Sequence, residues 1–313
     1  MSEKKALRDV YGEVLVELGE KDPRVVVLDA DLSKSTKTEK FAKRFPDRFF
    51  EMGIQEQNMM GTAAGLASTG KIPFASTFAI FAAGRAWEQV RLSIAYAKFN
   101  VKIVATHGGI ATGEDGASHQ MTEDFATMGA IPGMVVLSPS DATSTRAAIY
   151  AAYRYEGPVY VRLVRPKAPI IYEEPFDMEI GDVKKLREGS DVAIVATGLL
   201  VHEAIKAADM LEQQGISVKL YDFITVKPLN DEALRDAASA RYGIVTCEDH
   251  VIWGGLGANI AARLAELGNP VPMRYIGLRD VFGRSGSTEA LYEHYGLTAR
   301  HIVEKALELV KNG

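Results

Sequence analysis

The sequence predicts an α/β protein of two domains, each a mostly parallel sheet covered by helices. Short apolar runs rich in β-branched residues alternate with helical patterns, which is typical of buried parallel strands joined by helices. A length of 313 residues suits two ordinary domains. Between them, a stretch rich in proline and acidic residues has no helical period and indicates a linker. We therefore predict domains at 1–168 and 188–313, joined by a linker at 169–187.

Four apolar runs supply the strands predicted for the first domain. They are 25–28, 101–105, 135–137 and 159–163. Asp141 follows the third run and is a favourable N-cap for a helix over 142–153, because its carboxylate can accept hydrogen bonds from free backbone N–H groups. The small apolar residues of 60–67 predict another helix, buried and closely packed rather than solvated.

The pattern of strands and helices restarts after the linker. The predicted strands are 192–198, 217–221, 243–247 and 273–276, and the predicted helices are 200–214 and 298–311. Gly215 is suited to end the first of these helices. Cys247 is the single cysteine and lies in a strand-like run, so we expect a buried, inert thiol and no internal disulfide framework.

Composition argues against several classes of function. The net charge is −5 and no basic stripe is present, so nucleic acid and anionic membranes are poor partners. The longest apolar stretches contain charges, glycine or proline within a membrane-spanning length, which argues against a transmembrane helix. The first residues lack the apolar core of a signal peptide. We therefore expect a cytoplasmic protein.

Glu56 is the first candidate for chemistry. It lies in an otherwise uncharged run that leads directly into the small apolar residues of 60–67. A carboxylate at the start of a buried helix must be paired, protonated or used. The local sequence leaves a second interpretation open, in which the acid only interacts with the helix dipole.

A glycine-rich loop at 106–120 is the second candidate. It follows a predicted parallel strand, and active sites of such sheets gather where strands end. Its four glycines allow close backbone approach to a ligand, and its two histidines and two acids can transfer protons. A solvated polar loop is the alternative. A metal site from His107, Glu114, Asp115 and His119 is a weak alternative, because no cysteine contributes and the spacing fits no zinc pattern, so we assign no metal ligand.

Aromatic residues form the third candidate. Phe74, Phe78 and Phe81 lie around Ser76, and their spacing is typical of core packing. The alternative is a flat heteroaromatic ligand stacked on one of the rings.

Taken together, these motifs resemble a known family in order and spacing. The pyrimidine-binding domain of transketolases is similar to Gly-Ile-Gln-Glu-Gln-Asn-Met at 53–59, Ser-Thr-Phe-Ala-Ile-Phe at 76–81, Thr-His at 106–107 and Gly-Glu-Asp-Gly-Ala-Ser-His-Gln at 113–120. Gly-Gly-Leu-Gly at 254–257 and Asp-Val-Phe-Gly-Arg-Ser-Gly at 280–286 resemble the family's C-terminal domain. The resemblance covers essentially the whole chain and implies a thiamine-diphosphate-binding fold followed by a transketolase C-terminal-like domain.

The resemblance implies thiamine diphosphate as the cofactor and assigns residues to it. Glu56 would hydrogen-bond N1′ of the aminopyrimidine and promote the cofactor's activation. Phe81 would stack on the pyrimidine and Phe78 would line its pocket, with Asp31 and Ile54 also near the cofactor.

The resemblance also assigns the substrate side of the site. Asp115 and His119 align with catalytic residues that bind the hydroxyls of the sugar's reacting end. The sugar phosphate would be bound by Arg8, Ser35, His107 and Arg165. The implied reaction transfers a two-carbon ketol unit from a ketose phosphate to an aldose phosphate, as in the pentose phosphate pathway.

The sequence departs from the family in three places. Gly84 replaces a third aromatic residue, and Ala117 and Met121 replace prolines of the histidine loop. The Gly-Asp-Gly and later Asn that hold Mg²⁺ and the diphosphate are absent. The chain therefore resembles the C-terminal subunit of a split transketolase. Mg²⁺ would be held mainly by a partner, an N-terminal subunit with the diphosphate-binding domain. We expect a homodimer alone and a heterotetramer with that partner.

Three other functions remain open at this point. The first two keep the cofactor: the β subunit of a 2-oxo-acid dehydrogenase, or half of a deoxyxylulose-phosphate synthase. The 106–120 loop favours sugar substrates instead. The third is a non-catalytic assembly subunit, against which the intact Glu56 and His119 argue.

Overall fold

The computed structural model describes residues 3–312 and contains fourteen strands in three sheets. The strands are β1 (Lys4–Ala6), β2 (Val25–Asp29), β3 (Phe49–Glu51), β4 (Ile72–Phe78), β5 (Lys102–Thr106), β6 (Val135–Leu137), β7 (Val159–Arg162), β8 (Lys167–Pro169), β9 (Lys184–Arg187), β10 (Val192–Ala196), β11 (Val218–Asp222), β12 (Thr225–Lys227), β13 (Ile244–Val251) and β14 (Met273–Leu278).

Helices cover these sheets. The α-helices are α1 (Leu7–Lys21), α2 (Ser33–Thr36), α3 (Glu39–Arg44), α4 (Glu56–Ser68), α5 (Trp87–Gln89), α6 (Asp124–Gly129), α7 (Ala142–Arg154), α8 (Leu200–Glu212), α9 (Asp231–Ala238), α10 (Leu256–Glu266), α11 (Thr288–His294) and α12 (Ala299–Asn312). Ile80–Arg85 and Val90–Tyr96 are π-helical, and Pro46–Arg48 is a 3₁₀ helix. Ile110–Asp115 consists of 3₁₀ turns that are interrupted by a kink at Gly113.

The predicted fold class is confirmed. The first sheet has the order β12-β6-β7-β5-β4-β2-β3 and is parallel except for β12. The second has the order β14-β13-β10-β11-β9 and is parallel except for β9. A third pair, β1 and β8, is antiparallel. Each predicted strand and helix corresponds to an observed one. β6 has the predicted bounds, the other elements differ from their predictions at one or both ends, and β13 runs further than its prediction, to Val251.

The predicted cap of α7 is confirmed. The Asp141 carboxylate accepts the Ser144 amide at 2.7 Å, and the Ser144 hydroxyl accepts the Asp141 amide at 2.9 Å. The other carboxylate oxygen accepts the amides of Ile171 and Tyr172 at 2.8 and 3.0 Å. Asp141 therefore starts α7 and also fixes the chain that leaves the first domain.

The stretch 169–187 is not wholly the irregular linker that its composition indicates. Lys184–Arg187 forms β9, which pairs with β11 at the edge of the second sheet. The second sheet therefore begins before the predicted boundary at 188. Three of the four residues of β9 are charged and suit an edge strand, whereas the prediction relied on apolar runs.

The second half of the chain also completes the first sheet. β12 comes from beyond the linker and pairs with β6, so that the Thr225 position lies opposite Leu137. The Lys227 ammonium group donates to the carbonyls of Gly129 and Ile131, at 2.7 Å each. The two halves are thus joined by backbone hydrogen bonds as well as by side chains.

The helix predicted to be buried is buried on one face only. Met59, Met60, Ala63 and Ala64 of α4 lie in the core. The opposite face is open, and a Cβ atom added at Gly61 or Gly65 would meet nothing within 4 Å. The small residues of α4 therefore serve two faces: Ala63 and Ala64 pack in the core, and Gly61 and Gly65 lie on the uncovered face.

Two further observations concern burial. Cys247 is a free thiol in the core, as predicted, and burial raises its pKa well above the usual value. Within residues 3–312, no helix combines the length and the apolar character needed to cross a membrane.

Candidate active site

The predicted site residues gather where the parallel strands of the first sheet end. Phe78 is the last residue of β4, and His107 directly follows β5. Asp31 lies two residues after β2, and Arg165 lies three residues after β7. Because β7, β5, β4 and β2 are neighbours in the sheet, their ends place these residues along one edge.

Four rings form the centre of this edge. The rings of Phe78 and Phe81 stack with centroids 6.0 Å apart, and the ring of His107 stacks on Phe78 with centroids 3.8 Å apart. The ring of His119 lies edge-on to Phe81 at 5.6 Å and to Phe78 at 6.2 Å. The core-packing interpretation holds for Phe74, which is fully buried, whereas Phe81 is only half-buried.

Glu56 starts α4, and its side chain is 1% exposed. Its carboxylate is 3.0 Å from the Nη1 atom of Arg85, whose side chain is 49% exposed. The same guanidinium lies over the ring of Phe81, with Cζ 4.6 Å from the centroid. The acid is therefore adjacent to the ring cluster, and its ion-pair partner Arg85 is partly in solvent.

His107 is held neutral. Burial lowers its pKa to about 3, and the positive charges of Arg8 and Arg165 act in the same direction. Its Nδ1 atom lies 2.8 Å from the Thr106 hydroxyl, and its backbone φ of 63° is left-handed. A neutral imidazole with one nitrogen so occupied can offer the other to a ligand.

Two arginines approach the same histidine. Arg8 donates from Nη1 to the Ser35 carbonyl at 3.1 Å, and its buried Nε atom has no hydrogen-bond partner among residues 3–312. Arg165 donates from Nη1 to the Thr112 carbonyl at 2.9 Å. Its other terminal nitrogen lies 3.7 Å from the exposed carboxylate of Glu114. Both guanidinium groups retain donors suited to an anion.

Asp31 and Ile54 lie on a second part of the edge. Asp31 adopts a left-handed φ of 62°, and its amide donates to the Glu51 carboxylate at 2.7 Å. The same carboxylate oxygen accepts the amide of Gly53 at 3.2 Å. Glu51 thus fixes both loops, leaving the Asp31 side chain exposed and Ile54 71% exposed.

The glycine-rich loop is mostly buried, so the solvated-loop alternative is wrong for its first half. Its second half is open, and Asp115 is exposed. His119 is half-buried, and its Nδ1 atom lies 2.9 Å from the Ser118 hydroxyl. The structure brings His119 to the rings but does not bring Asp115 into contact with another predicted site residue.

The second domain anchors this loop. The buried carboxylate of Asp249 accepts the amides of Ile110 and Ala111 at 2.9 and 3.2 Å, and burial raises its pKa. Gln120, next to His119, donates from Nε2 to the Arg284 carbonyl at 2.9 Å. The loop geometry therefore depends on both domains.

Sequence reasoning missed Arg85, Glu51 and Asp249. Arg85 lies four residues after Phe81, a spacing that places both on one face of a helical turn and could have identified it. Glu51 and Asp249 act across long sequence separations, and no local pattern indicates their partners.

The residues present suit one end of thiamine diphosphate. A buried acid beside stacked rings can bind a flat heterocycle by a hydrogen bond and by stacking. Within the described part of the chain, no group of three or more His, Cys, Asp or Glu side chains could hold a metal ion. The described residues thus suit the ring end of the cofactor.

Comparison with known proteins gives matches over nearly the whole chain. The family "Transketolase, pyrimidine binding domain" matches residues 3–170, and "Transketolase, C-terminal domain" matches residues 181–302. The chain is 51% identical to a "Putative transketolase C-terminal section" of Methanocaldococcus jannaschii, over 98% of this chain and 97% of that protein. It is 44% identical to "6-deoxy-6-sulfo-D-fructose transketolase subunit SqwH" of a Clostridium species, over 97% and 94%.

The solved structure of a "Split gene transketolase, inactive beta4 tetramer" is also similar. It is 51% identical, the match covers 98% of each chain, and the TM-score is 0.91.

Proposed function

Since this chain belongs to the transketolase family, as a counterpart of the C-terminal part of a split transketolase, we propose that it supplies the pyrimidine-binding half of an active site. An N-terminal partner subunit would supply Mg²⁺ and the diphosphate-binding half. The assembled enzyme would transfer a two-carbon ketol unit from a ketose phosphate to an aldose phosphate. The observation that carries this proposal is the buried Glu56 beside the stacked rings of Phe78 and Phe81.

Each residue of the site has a role in this proposal. When bound, thiamine diphosphate supplies the nucleophilic carbon that breaks and forms the carbon–carbon bond. Glu56 holds a proton at the aminopyrimidine, Phe81 stacks on its ring, and Phe78, Asp31 and Ile54 line its surroundings. A carboxylate kept from water is suited to share a proton with a ring nitrogen.

The substrate would lie between the rings and the arginines. His119 and Asp115 bind and orient the hydroxyl groups at the reacting end of the sugar. The phosphate end meets Arg8, His107 and Arg165, and Ser35 is positioned beside Arg8 through its carbonyl group. Because His107 is neutral, it accepts or donates a hydrogen bond without adding charge.

An exposed apolar face supports the need for a partner. Ile54, Leu92 and Tyr96 are 71%, 50% and 83% exposed. The segment Val90–Tyr96 packs against α4, whose outer face of small residues is also open. Exposed apolar surface of this kind marks an interface. We propose that this face binds the N-terminal subunit and, without it, a second copy of the chain.

The oligomer of the isolated chain follows from the same face. We predict twofold pairing, the commonest symmetry, and a heterotetramer with the partner. The similar structure described as an inactive β4 tetramer supports self-association without activity. The proposal names no particular ketose donor or aldose acceptor, because the name of a relative with 44% identity specifies a sulfo-sugar.

Reconstitution tests the proposal. The purified chain, its candidate partner, thiamine diphosphate and Mg²⁺ are mixed and assayed with ketose phosphates plus aldose phosphates, and separately with 2-oxo acids. We expect ketol transfer only when both chains are present. Turnover of 2-oxo acids alone would favour a dehydrogenase-type subunit, and no turnover with any substrate would favour an assembly subunit.

Calorimetry on the isolated chain is the control. We expect weak cofactor binding, because the proposal assigns the diphosphate-binding half of the site to the partner subunit. Micromolar, Mg²⁺-dependent binding by the chain alone, with ketol transfer and no partner, would overturn the split-site proposal.

A further inference from the structure

Arg85 makes two contacts that the proposed function assigns to the cofactor. Its Nη1 atom pairs with the Glu56 carboxylate at 3.0 Å, and its planar guanidinium lies on the Phe81 ring at 4.6 Å. A protonated aminopyrimidine would present the same features: a flat cation-like edge for the acid and a flat face for the ring. We propose that Arg85 closes the pyrimidine site of the chain and must leave it before thiamine diphosphate binds.

The contacts of Arg85 suit a group that moves. Its backbone is fixed, since Gln57 donates to its carbonyl at 3.3 Å and it ends the π-helical segment Ile80–Arg85. Its side chain is half in solvent, and within residues 3–312 it has one ion pair, to Glu56. Ion pairs and cation–π contacts at such half-exposed positions are weak, so the guanidinium can leave while the backbone stays.

Closure also accounts for the burial of Glu56. The acid is 1% exposed although the outer face of α4 is open at Gly61 and Gly65. An uncompensated carboxylate in such a place is costly. Arg85 compensates its charge while the chain is alone, and the cofactor's ring replaces Arg85 once the partner is in place. This inference rests on the proposed function.

Because Arg85 and the cofactor would compete for the same site, the strength of the Arg85 contacts predicts how much Arg85 weakens cofactor binding. A binding-competent state that is populated only in part weakens the apparent affinity by that fraction. Contacts of this strength hold a closed state that outnumbers the open one by about three- to thirtyfold. Removing the guanidinium would strengthen cofactor binding by the same factor.

The first test measures thiamine diphosphate binding to the complex with the N-terminal subunit by calorimetry. We expect Arg85→Ala and Arg85→Gln to lower the dissociation constant about three- to thirtyfold. Arg241→Ala is the matched control: Arg241 is an exposed arginine of the second domain, its Cζ atom lies 4.9 Å from the centroid of the Tyr242 ring, and within residues 3–312 it has no ion pair. Unchanged or weaker binding by both Arg85 variants would overturn the proposal.

The second test needs no cofactor. A water-soluble carbodiimide modifies accessible carboxylates, and mass spectrometry of the isolated chain reports the rate at Glu56. We expect modification several-fold faster in Arg85→Ala than in the wild type or Arg241→Ala, with circular dichroism confirming equal folding. Equal rates would show that Arg85 does not cover the acid. If no variant binds cofactor even with the partner, the proposed function fails, and the labelling rates still decide whether Arg85 closes the site.

Discussion

Replacement of Arg165 by alanine should remove recognition of the sugar phosphate without removing the reaction. One terminal nitrogen of Arg165 is engaged by the Thr112 carbonyl at 2.9 Å, and the other faces Glu114 at 3.7 Å. The Glu114 side chain is 77% exposed and therefore a weak, screened competitor for a phosphate. Arg165 thus keeps donors available beside His107 and Arg8, both of which act on the same region.

The magnitude follows from these contacts. A hydrogen bond to a charged group is worth about 1.5–3 kcal/mol. Because about a third of the Arg165 side chain is in solvent, we expect the lower part of that range, about 1.5–2 kcal/mol. This corresponds to a loss of about 10- to 30-fold in kcat/KM for phosphorylated ketoses.

The assay compares a phosphorylated ketose with its unphosphorylated analogue in the reconstituted enzyme. Loss of the bond to Thr112 loosens the glycine-rich loop and should affect both substrates equally, so the ratio of the two kcat/KM losses isolates the phosphate contact. Arg165→Lys should recover part of the ratio, and Arg241→Ala, an exposed arginine at the opposite end of β13, should leave it unchanged. Equal losses for both substrates would refute the assignment and make Arg165 a structural residue of the loop.

Three further perturbations address the acid, the core and the histidine. Glu56→Gln should preserve folding and assembly but reduce turnover in the reconstituted enzyme by at least about 10²–10⁴-fold; near-normal turnover would contradict its role. Arg162→Met leaves the buried carboxylate of Asp124, 3.2 Å from Nε of Arg162, without its charge partner and should lower the free energy of unfolding by about 3–5 kcal/mol. Urea denaturation should show partial recovery in the double variant with Asp124→Asn, and no recovery would mean that the pair is not coupled. His107 has a folded pKa of about 3, so the unfolded chain alone gains its proton as the pH falls below about 6.5 and stability decreases. We measure the free energy of unfolding by urea titration at pH 7 and at pH 5. His107→Gln should make the decrease between these pH values smaller by about 2 kcal/mol, and an unchanged dependence of the free energy of unfolding on pH would show that His107 is not held neutral.

The sheets could be predicted because their central strands are continuous apolar runs. β10, for example, is Val192–Ala196, and all five residues are buried. The cap at Asp141 was equally predictable, since its partners lie within one helical turn. In these places, local sequence and global fold carry the same information.

The edge strands could not be predicted in this way. β9 is highly charged, and β12 has only three residues. Both become strands because a neighbouring edge offers free backbone groups to pair with, which is a property of the folded sheet. Local sequence patterns do not predict such pairing.

The candidate site also contains both kinds of feature, those that local sequence predicts and those that depend on tertiary structure. Short motifs located Glu56, Phe78, Phe81, His107 and His119, and the structure places these residues along one edge of the sheet. The electrostatic neighbours of these residues were not predictable from motifs. The pairing of Glu56 with Arg85 and the support of the loop by Asp249 depend on side chains brought together by tertiary structure.

Strand β12 belongs to the second half of the chain but pairs with the sheet of the first half. This pairing determines what happens when the two halves are expressed as separate fragments. A cut between residues 170 and 184 would remove β12 from β6 and leave the edge of a central sheet uncovered, with its N–H and C=O groups free to recruit other chains. It would also separate Lys227 from the two carbonyls that end α6 and its following turn. We therefore expect the two family domains to fold correctly only as one chain, and we expect fragments cut between them to aggregate.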